Sequence, residues 1–266
     1  GYPIARVTAK VAVGMNLDEI AVANTTAAFE PQLDYVVAKL PRFPFDKFSS
    51  AANTLGTQMK ATGEVMGIGA TLEECLLKSI RSLEIGADHL WLPKFQNKTK
   101  EELLDYLRQF RDDGYFAIAQ LMRLGVSTEE IFAVTMITPF FLEKLRGIVD
   151  MEETLRQHKN DGEVLRRAKE MGFSDPAIAK LWGVSEKIVY ALREEKGIFP
   201  KFKMVDTCHT GAYIPYFYST YDPKAQNESR LSDKQKVVVL GAGPIRIGQG
   251  VEFDYSTVHA VQTIRK

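Results

Sequence analysis

The sequence predicts a mixed fold: a partial α+β segment, a central all-helical bundle, and a closing strand–turn–helix. Three observations predict it. Between 101 and 197, apolar residues recur only at helical spacing. Ahead of that stretch, β-branched runs at 34–40 and 64–68 are mixed with helical patterns. At the end, Lys236–Leu240 is a β-branched and aliphatic run without alternation, and a glycine-rich turn follows it. Tyr255, Val258, Val261 and Ile264 then recur at helical spacing. A strand buried on both faces, a turn and a helix make the first half of a βαβ unit.

The first helix starts at Pro3, carries Ile4, Val7 and Val11 on one face, and stops at Gly14. Leu17–Val22 reads as a second short turn. Asp34–Leu40 is a strand ended by Pro41. Pro41 and Pro44, with Phe43, Phe45 and Phe48, form a rigid apolar connection. Thr57–Thr62 and Glu64–Ile68 are short extended runs around Gly63. Thr71 with Glu74 three residues on is a capping-box pattern opening a helix, with Leu72, Leu76, Ile80 and Leu83 on one stripe and Gly86 at its close. These strands are too few for a complete domain.

Residues 89–100 mark a boundary, where Leu90-Trp91-Leu92 gives way to Pro93 and a polar run. Leu103, Leu104, Leu107 and Phe110 share a face of the next helix, and Tyr115–Leu124 makes another. A longer helix from Thr138-Pro139 carries Phe141, Leu142, Leu145, Ile148 and Val149. Asp161–Met171, Ser174–Trp182 and Ser185–Lys196 are three short helices. Gly125-Val126-Ser127, Gly172-Phe173-Ser174 and Gly183-Val184-Ser185 share one plan. Glycine ends a helix in the left-handed conformation, an apolar residue seals the corner, and serine caps the next helix. Their unequal spacing excludes a repeat array. The aromatic-rich stretch 198–221 calls for packing on another surface, and 222–235 reads as a linker.

Lys+Arg and Asp+Glu both number 34, a balance that argues against non-specific nucleic-acid binding. No apolar run approaches the roughly 20 residues of a membrane span, and the N-terminus has no signal-peptide layout. Cys75 and Cys208 have no metal-type spacing and read as reduced thiols of a cytoplasmic protein. The four histidines are scattered, which excludes a zinc motif.

The glycine-rich turn contains Gly241, Gly243, Arg246, Gly248, Gln249 and Gly250. Arg246 stands where a dinucleotide fingerprint needs its third glycine, so a tight structural turn is favoured over phosphate contact. Glu252 and Asp254 complement a helix dipole. The stretch 175–190 has the layout of a helix-turn-helix, with Lys187, Arg193 and Lys196 available but Glu186, Glu194 and Glu195 among them. A helix-turn-helix nucleic-acid-binding protein with a nucleotide-binding tail is therefore the alternative reading, tested by salt-dependent DNA retention. Neighbours in an extended stretch point to opposite faces, so Cys208-His209 is structural rather than a nucleophile and its base. Glu152-Glu153 and Arg166-Arg167 read as solvated helix faces.

Four stretches carry a resemblance. They are DYVVAKLPRFPFDKF at 34–48, GEVMGIGATLEECLLKSIRSLE at 63–84, VDTC with YFYSTYD at 205–222, and VVVLGAGPIRIGQGVEFDYSTVHAV at 237–261. Together, and in this order, they resemble the large chain of carbamoyl-phosphate synthase. The resemblance implies three parts. Residues 1–92 resemble the C-terminal part of the first ATP-grasp unit. Residues 93–234 resemble the helical oligomerisation domain with its extended C-terminal segment. Residues 235–266 resemble the start of the Rossmann-like domain that precedes the second ATP-grasp fold.

The family is a ligase making carbamoyl phosphate from bicarbonate, ammonia and two ATP, with magnesium and potassium. A small amidotransferase chain delivers the ammonia from glutamine, and the product feeds arginine and pyrimidine synthesis. The resemblance places the family's catalytic, ATP-binding and metal-binding residues outside this sequence. It implies a fragment with no catalytic or cofactor site, inactive alone, whose partners are the rest of the large chain and further copies through the helical domain. It also sets Gly248, Gln249 and Gly250 beside the family's internal tunnel. Two departures stand out: His209-Thr210-Gly211-Ala212-Tyr213 replaces the usual Ala-Ala-Glu-Phe, and 21–26 lacks the usual Ile-Thr step.

Overall fold

The computed structural model describes all residues except 1, 31, 49, 208–212, 241–250 and 266, with 251–254 described in backbone only. The first helix, α1 (Ile4–Ala12), lies between Pro3 and a Gly14 at φ +95°. A turn leads to a small ladder of β1 (Ala21–Val22) with β2 (Thr25–Thr26). Strands β3 (Val36–Arg42) and β4 (Gly63–Gly69) pair antiparallel, with Val36 opposite Gly69 and Arg42 opposite Gly63.

Pro41 does not end its strand, as expected, but sits inside it opposite Glu64. Arg42 turns its carbonyl toward the partner side and accepts the Thr62 amide at 3.0 Å. Alternation then aims the Pro41 nitrogen at the open edge, where a missing N–H costs no ladder bond. The run 57–62 forms no strand; the nearby bridge joins Thr54 to Arg111 instead.

Helix α2 (Leu72–Ser82) lies flush on β3 and β4. Gly67 permits the close approach, since a Cβ there would stand 2.3 Å from the Cys75 carbonyl oxygen. Small donors complete the seam: Cys75 Sγ donates to the Val36 carbonyl at 2.9 Å and Ser79 Oγ to the Ala38 carbonyl at 3.1 Å. Burial, with the neighbouring Glu74 charge adding to it, pushes the Cys75 thiol up to about 12. On its other side, Leu77 and Ile80 enter the helical core. The helix is thus buried on two faces rather than along the single expected stripe, and Leu72 and Leu76 are only half-buried. Apolar periodicity reports the bundle-facing side; the sheet-facing side is built from Cys and Ser and leaves no such signal. The Thr71 cap forms, its hydroxyl accepting the Glu74 amide at 3.2 Å. The reciprocal half of the box does not, because the Glu74 carboxylate binds the Ala70 amide.

After a 3-10 turn at Pro93–Phe95 come α3 (Lys100–Leu107), α4 (Gly114–Arg123), α5 (Thr128–Thr135) and α6 (Pro139–Gln157). They are followed by α7 (Gly162–Glu170), α8 (Asp175–Trp182) and α9 (Glu186–Glu195). Phe110 lies beyond the end of α3, exposed at φ +47°, and Phe141 also faces outward, so neither joins the core stripe assigned to it. Gly125, Gly172 and Gly183 all take positive φ, as the corner plan requires. Ser127 and Ser174 accept the Glu130 and Ala177 amides, whereas Ser185 makes no cap bond. One apolar core runs from Leu77 and Ile80 through Leu90 and Phe95 to Trp182 and Ile198.

The aromatic-rich stretch folds into an antiparallel hairpin of β5 (Lys201–Met204) and β6 (Phe217–Thr220). Tyr218 packs with Ile68, Val205 and Tyr35, and Tyr221 reaches the main core, while Tyr216 stays exposed. Residues 236–240, expected as a buried strand, form no ladder, and Val237, Val238 and Leu240 are exposed. An aliphatic run of that kind needs a strand on each side, and none of the described strands lies beside it. The expected final helix is present as α10 (Val251–Ile264).

Candidate functional site

Among the described residues, three largely buried ionic nodes each join distant segments. Glu74 on α2 organises the first. Its Oε2 accepts the Ala70 amide at 2.8 Å and the Thr220 hydroxyl at 3.0 Å, and its Oε1 pairs with Lys78 Nζ at 2.8 Å. Lys78 also donates to the Ile68 carbonyl at 2.6 Å and to the Ser219 carbonyl. The node therefore ties β6 to α2 and β4. Arg81, one turn on, donates to the Gly172 carbonyl at 2.9 Å and so clasps the corner between α7 and α8.

Asp175, at the start of α8, organises the second. Its Oδ1 pairs with Lys169 Nζ at 2.7 Å and its Oδ2 with Arg193 Nε at 3.2 Å. Lys169 further donates to the Phe173 carbonyl, and Arg193 to the Ile198 carbonyl at 3.1 Å. The Tyr221 ring lies under both cations, at 4.8 and 5.9 Å. Burial pulls the Lys169 ammonium below its usual range, against the attraction of Asp175. Groups of the first two nodes line one cleft of about 250 Å3 between α2, α8 and β6.

Glu152 organises the third, and it overturns the reading of Glu152-Glu153 as a solvated face. Glu153 is exposed, but Glu152 is wholly buried. His89 Nδ1 lies 2.8 Å from its Oε1 and must donate, because an ionised carboxylate only accepts. Arg123 grips the same carboxylate with Nε at 3.0 Å and Nη2 at 2.8 Å, and donates to the Leu90 carbonyl at 2.6 Å. Burial pushes the Glu152 carboxyl up; the hydrogen bond and charge of His89, with Arg123, outweigh it and hold the group below the usual carboxylate range. The segment around 89–90 is thereby locked to α4 and α6.

In all three nodes the carboxylates are spent on neighbouring donors. Such closed networks hold segments in register rather than present a reactive group. Arg193, offered by the sequence as a possible DNA contact, is turned inward to Asp175. The turn residues Gly241, Gly243, Arg246, Gly248, Gln249 and Gly250 lie outside the described residues, as do Cys208 and His209. Sequence reasoning missed Glu74, His89, Arg123, Lys169 and Asp175 as linked groups. For Glu152 a signal existed: it falls in register with Leu145, Ile148, Val149 and Leu155, all buried.

No helix among the described residues is long and apolar enough to cross a membrane. Residues 64–197, half of the chain, match the family model described as carbamoyl-phosphate synthetase large chain, oligomerisation domain. Residues 233–266 match the model described as carbamoyl phosphate synthase preATP-grasp domain. With a helical unit, its flanking segments and these two matches in one order, the chain belongs to the carbamoyl-phosphate synthetase large-chain family.

Proposed function

We propose that this chain is the assembly region of a carbamoyl-phosphate synthase large chain. In this reading residues 1–92 close a first ATP-grasp unit, 93–234 form the oligomerisation region, and 235–266 open the Rossmann-like domain of a second unit. The complete enzyme would be a cytoplasmic ligase. It would make carbamoyl phosphate from bicarbonate, two ATP and ammonia passed on by a small amidotransferase chain, for arginine and pyrimidine synthesis. The observation that carries the reading is the continuous core from Leu77 to Ile198, braced by the three ionic nodes where flanking segments meet the bundle. A region built this way transmits position between units without reacting itself.

Among the described residues no three acidic, histidine or cysteine side chains are grouped as a divalent ion would need. The node carboxylates already face cations of the protein. In this reading magnesium, potassium and ATP act in other parts of the complete enzyme. Purified chain supplied with ATP, bicarbonate, ammonia, magnesium and potassium should give no carbamoyl phosphate and no ADP above blank. Steady turnover would overturn the reading.

A further inference from the structure

We propose that the cleft between α2, α8 and β6 is a binding site for a small phosphate-bearing anion, gripped by Arg81 together with Lys78 and Lys169. The site is independent of the assembly role proposed above. The cleft encloses about 250 Å3, and four cations converge on it: Lys78 and Arg81 from α2, Lys169 from α7 and, behind Asp175, Arg193 from α9. The side chains of Lys78, Lys169 and Arg193 are 21%, 7% and 10% exposed, and Arg81 is half-buried. Two carboxylates stand among them, Glu74 and Asp175, while Glu186 lies exposed at the rim. Both inner carboxylates are already spent, Glu74 on Lys78 and Asp175 on Lys169 and Arg193. Arg81 has no such partner among the described residues. Its Nη1 donates to the Gly172 carbonyl at 2.9 Å, while Glu74 and Asp88 attract it from beyond pairing distance. Asp88 itself pairs with Lys180.

Helix ends do not cancel the imbalance. The ends of α7 and α9 each bring about half a negative charge, and the start of α8 brings about half a positive one. A positive excess of more than about one unit charge therefore remains in the recess. The cations also press on one another. Burial pulls the Lys169 ammonium down, and the Arg193 and Arg81 charges push it the same way, against Asp175. Charge taken out of water without a counter-charge is costly, and an anion supplied from outside removes that cost.

The donors favour phosphate over a carboxylate. A guanidinium carries five N–H donors in a rigid fork that matches two oxygens of one phosphate, and a single Arg81 nitrogen is bonded to the protein. With ammonium groups from two further positions, the cleft calls for an anion with at least three acceptor oxygens and more than one charge, as a phosphate monoester has. Lys78, Arg81 and Ser219 also line an adjoining hollow of about 500 Å3, where Tyr216, Phe217 and Tyr218 offer aromatic surface. A phosphate fits the smaller space, and a ring attached to it fits the larger.

Titration calorimetry of the purified full chain with inorganic phosphate and with phenyl phosphate, in chloride at matched ionic strength, tests this. At least one probe should bind at a single saturable site with a Kd of about 1 mM or tighter. Arg81→Gln should weaken binding at least about tenfold, as loss of a charged hydrogen-bonding partner does. Arg108→Gln, which removes an exposed arginine of α3, should leave it unchanged. Glu186→Gln takes a repelling charge from the rim and should tighten binding about threefold, the effect of a unit charge several ångströms away in water. A purely structural cluster would show no such gain. Tighter binding of phenyl phosphate supports a phosphate monoester with its ring in the larger hollow; equal or weaker binding supports free phosphate. No saturable binding of either probe, or acetate binding as tightly as phosphate, overturns the proposal. So does an Arg81→Gln chain that is folded by circular dichroism and binds as wild type does. If Arg81→Gln does not fold, Glu186→Gln decides, and binding no tighter than that of wild type overturns the site.

Discussion

Replacing Glu152 by glutamine tests whether the buried node around it holds the helical unit to the preceding segment. The substitution keeps shape and volume but removes the charge and one acceptor. Glu152 is 0% exposed and receives His89 Nδ1 at 2.8 Å and two Arg123 nitrogens at 3.0 and 2.8 Å. A glutamine offers one oxygen to these donors and turns an amide NH2 toward the rest, so the partly buried Arg123 guanidinium is left without its counter-charge. Breaking a buried pair in this way costs about 3–5 kcal/mol. For a chain of this size that corresponds to a fall in melting temperature of about 10 °C. The assay is urea and thermal unfolding followed by the fluorescence of Trp91 and Trp182, the second of which is buried in the same core.

Glu153→Gln, one residue on and exposed, is the control and should shift stability by less than about 0.5 kcal/mol. Replacing all three members together, with His89→Phe, Arg123→Met and Glu152→Leu, should recover much of the loss, since no uncompensated charge then remains. If Glu152→Gln matches the Glu153 control, the node does not stabilise the fold and the argument from its burial is wrong.

The same carboxyl makes the stabilisation pH-dependent. Folding holds it below its unfolded value, so its contribution is present at neutral pH and is lost as pH falls below about 4 through the folded value. The stability gap between wild type and Glu152→Gln should therefore close on acidification, and a gap that widens would contradict this. Gly172→Ala should destabilise by clearly more than Gly183→Ala. Both positions have positive φ, which alone costs about 1–2 kcal/mol, but a Cβ at Gly172 would stand 2.7 Å from Glu74 Cα, while at Gly183 the nearest neighbour is 3.9 Å away. Equal melting temperatures for the two variants would refute the close contact. Ser127→Ala should cost about 1 kcal/mol through loss of its helix cap, and Ser185→Ala close to nothing, because only Ser127 binds an amide; chemical denaturation of both variants separates the cases.

Much of the helical unit was legible because its boundaries are local. Glycine at 125, 172 and 183 and proline at 139 each act on backbone groups within a few residues, and the helices begin and end beside them. The failures share one cause. Ser185 has the right type and place, yet its hydroxyl makes no cap bond. Pro41 is tolerated inside a strand because of which edge its nitrogen faces. The aliphatic run at 236–240 states a need for cover, but no described strand supplies it.

By itself, then, the amino-acid sequence determined the mixed class, most of the helical spans of the central unit, the glycine corners between them and, through its long matching stretches, the family. Only the tertiary structure decided which charges are buried and what they hold. Glu152 meets His89 across 63 residues of chain, and Glu74 meets Thr220 across 146. Helix ends are set by backbone groups a few residues away, so short-range sequence describes them. The environment of a carboxylate is set by whatever segment folds over it, and that is known only once the whole chain has packed.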